Sequence, residues 1–157
     1  MLKKAKQSKV RATGCRFAIV ASRYNARYVD SMLRSARAEL TAAGAAEVKV
    51  VRVPGAYEVP VVTAKLARRR SQPWDAVICL GVILRGETVH AEYIGRAVTG
   101  ALTRLQLETE VPLIHEVLLL ENEAQARKRC LDREHNRGRE AAQTAVEMAM
   151  LMRELER

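Results

Sequence analysis

The stretch VILRGETVHAEY, residues 82–93, ends an apolar run at Leu84 and then sets a glycine, two charges, a threonine and a histidine within six positions. Gly86 lets backbone approach a ligand closely. Glu87 and Thr88 present amides and a hydroxyl at a helix start, an arrangement suited to an anion. His90 follows as a group able to move protons. Two other short segments carry comparable chemistry. In SRYN, residues 22–25, Tyr24 can stack on a planar ring. In VPGAYE, residues 53–58, the Gly55 and Ala56 amides lie at another helix start, and Glu58 can accept from hydroxyls. Each residue also has an ordinary structural reading. A tyrosine after a strand packs, acids such as Glu58 and Glu87 favour first helical turns, and single histidines are structural or exposed. Neither GxxxxGK[ST] nor GxGxxG is present, so the residues themselves do not name the ligand.

The elements that hold these segments alternate. RFAIVAS (16–22) reads as a strand, and residues 26–44 as a helix with Val29, Leu33, Ala36 and Leu40 on one face, stopped by Gly44. VKVVRV (48–53) is a second strand closed by Pro54-Gly55. A helix over about 57–70 tolerates Pro60 in its first turn, with Arg68 to Arg70 at its negative end. AVICLGVIL (76–84) is almost wholly apolar, as a strand covered on both faces must be. A helix over 89–108, a strand from Pro112 to Leu120 and a short helix over about 122–130 come next. A final helix over 135–157 carries Ala142, Val146, Ala149 and Met152 on one face. This order predicts one doubly wound, flavodoxin-like α/β domain over 16–157, with a mostly parallel four-stranded sheet and helices on both faces. Ligands of such sheets bind outside the carboxyl ends of the strands, where all three segments fall.

Composition narrows the classes. A chain of 157 residues with 48% hydrophobic and 29% charged residues is globular and buries a real core. No apolar run approaches the roughly 20 residues that cross a bilayer. There is no signal-like start, so a cytoplasmic protein with no membrane partner is expected. Cys15, Cys79 and Cys130 are odd in number and form no CxxC pair, which predicts buried free thiols. His90, His115 and His135 are too scattered for a metal site. The net charge of +9 is uneven, with six cations and no acid in residues 1–16. Residues 1–15 therefore read as a loose, solvated basic arm. Aromatics at 4% provide no stacking platform, and a nucleic-acid partner is not expected.

In this order RYN, VPGAYEVP, LGVILRGETVHAEY and HNRG resemble the lumazine synthase family, over about residues 16–152. That family shows an aromatic-Asn pair, then VPGA-aromatic-E-[IL]-P, an RGxTxH strand end and a late GNKG-like turn. The resemblance implies a transferase of riboflavin biosynthesis that works without metal or organic cofactor. Such enzymes condense 5-amino-6-(D-ribitylamino)uracil with 3,4-dihydroxy-2-butanone 4-phosphate. Carried over, Tyr24 matches the aromatic that stacks on the pyrimidine, and Ala56, Tyr57 and Glu58 match the segment receiving the ribityl chain. Val82, Ile83 and Leu84 match backbone that hydrogen-bonds the uracil. Glu87 and Thr88 match the phosphate-holding turn, Arg129 the phosphate-binding arginine and His90 the proton-transferring histidine.

The resemblance further implies a homo-oligomer, a pentamer or a sixty-subunit shell, with sites between subunits and Arg129 supplied by the neighbour. Riboflavin synthase is a candidate partner. The chain departs from the pattern at His115, where the family has a ring-covering phenylalanine. Glu116 stands where glycine is common, Leu119-Leu120 replace threonines, and Arg137 replaces the lysine of GNKG. Two alternatives on the same scaffold are a shell former with weakened catalysis and a flavin- or lumazine-binding protein.

Overall fold

The structure is a computed structural model that describes residues 10–157. Its four strands are β1 (Arg16–Ser22), β2 (Glu47–Val53), β3 (Ala76–Leu84) and β4 (Leu113–Leu120). They form one sheet in the order β2-β1-β3-β4, and every pairing is parallel. The five helices are α1 (Ala26–Ala42), α2 (Val59–Ala67), α3 (His90–Thr109), α4 (Glu123–Ala126) and α5 (Arg137–Leu155). The doubly wound α/β class is thus the observed one.

Strand alternation divides the core in two. Phe17, Ile19, Ile78 and Leu80 face Met32 and Ala36 of α1 and Ala142 and Ala145 of α5. Ala18, Val20, Val77 and Cys79 face Val59 of α2 and Val98 and Leu102 of α3. The inner strands β1 and β3 are buried along nearly their whole length, which is why both read in sequence as unbroken apolar runs. Chain connections leave β1 in one direction and reach β3 in the other, so the crevice between their carboxyl ends is the topological switch point.

Three segments differ from expectation. The helix expected over about 57–70 is a 3-10 turn at Ala56–Glu58 followed by α2, which ends at Ala67. Arg68 is its C-cap, so the three arginines lie at and beyond the end rather than inside the last turn. The helix expected over 122–130 is the short α4 running into a π-helical turn, Arg127–Leu131, in which Asp132 N–H donates to Arg127 O at 3.1 Å. The arm expected to be loose over 1–15 is packed over 10–15. Ala12 and Cys15 are fully buried, Ala12 N–H donates to Ala43 O at 2.8 Å, and Thr13 bridges Ala45. The expectation for residues 1–9 lies outside the described residues. The three cysteines are buried and free.

Candidate active site

The three chemistry-bearing segments are drawn together by backbone. After β1, Arg23 N–H donates to Val53 O at 2.8 Å and Tyr24 N–H to Pro54 O at 3.0 Å, which ties the first loop to the second. Asn25 sits in the left-handed region at φ 57°, a conformation that asparagine tolerates better than most residues. From there its Nδ2 donates to Val82 O at 2.8 Å, which ties the first loop to the third strand end. Glu58 Oε2 accepts from Gly55 N–H at 2.9 Å and closes the 3-10 turn at the start of α2. Its structural role therefore coexists with a place in the site.

The result is a cavity of about 910 Å³ lined by Tyr24, Asn25, the 55–58 turn, Val82 to Leu84, Gly86, Thr88, His90 and the first turns of α3. Tyr24 is 73% exposed, so it does not pack into the core of its own chain; Tyr57 and Tyr93, also on the lining, are each 65% exposed. The β1–β3 ladder ends at Leu80, whereas β3–β4 continues to Leu84. Over 81–84 that edge of β3 therefore loses its β1 strand partner, Asn25 Nδ2 takes Val82 O instead, and the Val82–Leu84 backbone borders the cavity. Gly86 has open space around it, and Thr88 Oγ1 accepts from His90 N–H at 3.4 Å.

Of the expected site residues, Tyr24, Ala56, Tyr57, Glu58, Val82, Ile83, Leu84, Thr88 and His90 share this cavity. Glu87 is exposed in the turn but does not line it. His115 and Arg129 also lie apart from the cavity of their own chain. Arg129 is exposed on the π-helical turn. Asn25 and Tyr93 have places in the site that the sequence motifs alone leave without a role. The signals were present: asparagine is a residue suited to positive φ, and Tyr93 stands three positions after His90 on one helical face.

Two of the departures from the family pattern, Glu116 and Arg137, explain one another. His115 Nδ1 accepts from Val117 N–H at 3.1 Å, which leaves Nε2 to carry the proton and donate to Thr99 Oγ1 at 2.8 Å. Burial lowers its pKa, consistent with a neutral ring. Glu116 points to the opposite face, where burial raises its pKa and the Arg137 guanidinium, 3.1 Å away, opposes the rise. The acid in place of glycine and the arginine in place of lysine are thus partners in one ion pair. Leu119 packs over Gly95 of α3.

The family described as 6,7-dimethyl-8-ribityllumazine synthase matches residues 14–153. The chain belongs to that family. Relatives that carry the same description include one from Clostridium kluyveri, 39% identical over 98% of this chain and 99% of the relative. Another, from Salinibacter ruber, is 43% identical over 91% and 92% of the two chains. A third, from Kineococcus radiotolerans, is 43% identical over 92% and 89%. Among the described residues no helix is long and apolar enough to cross a membrane.

Proposed function

We propose that this chain condenses 5-amino-6-(D-ribitylamino)uracil with 3,4-dihydroxy-2-butanone 4-phosphate in riboflavin biosynthesis, within the cavity at the β1/β3 switch point. It is an enzyme of the 6,7-dimethyl-8-ribityllumazine synthase family, a transferase. The amine of the pyrimidine attacks the ketone to give a Schiff base with loss of water. Phosphate is then eliminated, the resulting enol tautomerises to a ketone, and the ribityl-bearing nitrogen attacks that carbonyl with loss of a second water, closing the ring to the lumazine.

The roles follow from the lining. Tyr24 stacks on the pyrimidine, and the β3 backbone at Val82 to Leu84 bonds the uracil edge. The turn at Ala56, Tyr57 and Glu58 receives the ribityl hydroxyls. Amides of Gly86 to Thr88, with the Thr88 hydroxyl, hold phosphate, and His90 moves protons between amine, ketone and leaving group. The steps ask mainly for alignment of two reactants, with acid–base help added.

The single observation that carries this reading is the gathering of nine expected residues from three strand ends around one open cavity. His115 and Arg129, outside their own cavity, complete the site of a neighbouring subunit in a homopentamer, the unit from which a sixty-subunit shell is built. There the Arg129 fork meets the phosphate dianion, and the flat, hydrogen-bonded His115 ring covers the pyrimidine. Three free buried thiols suit a reducing cytoplasm. The test is the rate of lumazine formation from both substrates above the uncatalysed background, with His90→Ala and Arg129→Ala beside the parent.

A further inference from the structure

Arg85 stands immediately before the turn read as phosphate-holding, and its guanidinium is committed on both sides. Nη2 donates to Glu92 Oε1 at 2.6 Å, in the first turn of α3. Nη1 donates to Glu121 Oε1 at 2.9 Å and Oε2 at 3.2 Å, just beyond β4. The Arg85 N–H extends the β3–β4 ladder by donating to Leu120 O at 2.8 Å, and Glu121 N–H donates onward to Gln125 Oε1 at 2.9 Å.

The turn itself is poorly held. Residues 85–90 are all exposed, Gly86 touches nothing that would resist a side chain, and the bond from His90 N–H to Thr88 Oγ1 is long. Ordering such a segment afresh at each binding event costs conformational entropy. A side chain that ties its first residue to the two elements on either side removes part of that cost.

We propose that Arg85 is a positioning residue for the phosphate-bearing substrate: by bridging Glu92 and Glu121 it holds Gly86 to Thr88 ready for phosphate without touching it. The inference rests on the reading of 86–88 as the phosphate turn. An arginine beside such a turn invites the simpler role of direct anion ligand. Both of its terminal nitrogens already donate to carboxylates, whose two negative charges face any incoming anion, which argues against that role.

The test compares Arg85→Gln, Arg85→Lys and the double change Glu92→Gln with Glu121→Gln, with Arg68→Gln as a surface control on the far end of α2. Each substrate is varied in turn, and hydrogen exchange of the 86–90 amides is followed in the same proteins. Arg85→Gln is expected to raise KM for the butanone phosphate about three- to tenfold, as loss of a partly exposed ion-pair bridge should, with kcat and the KM for the pyrimidine nearly unmoved. Arg85→Lys falls between, the double variant raises the same KM, and the 86–90 amides exchange faster in both Arg85→Gln and the double variant.

A double variant with a lower KM would show a freed Arg85 binding phosphate directly and overturn the proposal. So would a fall in kcat with KM unmoved, or an Arg85→Gln protein whose KM and exchange match the parent. A parent protein with no rate above background would sink the enzymatic reading instead, while the exchange comparison would still decide whether Arg85 holds the turn.

Discussion

A single side chain, His115, stands where the resemblance leads one to expect a ring-covering phenylalanine. Both ring nitrogens are used, one accepting from Val117 N–H and one donating to Thr99 Oγ1, so the ring is held flat and neutral as a phenylalanine would be. His115→Phe is therefore expected to keep or improve kcat/KM, and a loss of more than tenfold would mean that the imidazole has a role of its own. The same substitution has a consequence for stability. Burial sets the folded-state pKa of His115 below the unperturbed 6.5, so the unfolded chain binds the proton more readily. The stability contributed by the neutral ring is present above pH 6.5 and is lost as pH falls below it. Parent protein should lose more Tm between pH 7.5 and 5.5 than His115→Phe does; equal losses would contradict the assignment.

At the scale of elements, the start of α5 is fixed by its fit to α1. Asn136 caps the helix by accepting from Gly138 N–H at 2.9 Å and Arg139 N–H at 3.4 Å, while its Nδ2 donates to Cys130 O at 2.6 Å. A Cβ on Gly138 would lie inside the contact distance of Met32 O, backbone that cannot turn aside. Gly138→Ala should cost about 1–3 kcal/mol or more in urea unfolding, the range for overpacking, and an unchanged midpoint would contradict this. The HNRG turn is thus a packing device as well as a family signature.

The same element shows what a sequence reveals. β1 and β3 were legible to the residue because strands covered on both faces read as near-continuous apolar runs. The 3-10 turn before α2 and the π turn after α4 were not, since apolar spacing averages over several residues and cannot resolve a local change of winding. Most of the cavity was legible because its residues cluster at strand ends. Asn25 was not, because its contribution is a left-handed backbone and one bond to Val82 O. The docking of residues 10–15 was hidden by the charge of the arm they belong to, while Ala12 and Cys15 supplied the buried contacts.

At the scale of the whole molecule, the cavity of one chain holds His90 but neither Arg129 nor His115. If neighbouring copies supply them, His90→Ala and Arg129→Ala subunits are each inactive alone yet complement when refolded together. Random mixing leaves about a quarter of the sites with both groups intact, so about a quarter of the parent rate should return. No recovery from a properly assembled mixture would place both groups in one chain's own site. Light scattering on the parent protein would separate a pentamer from a closed shell. The most direct measurement remains the initial rate of lumazine formation with both substrates, set against the uncatalysed reaction. A parent rate well above background, cut at least tenfold by His90→Ala and by Arg129→Ala, is what the account predicts. An assembled parent protein that works no faster than buffer would contradict it.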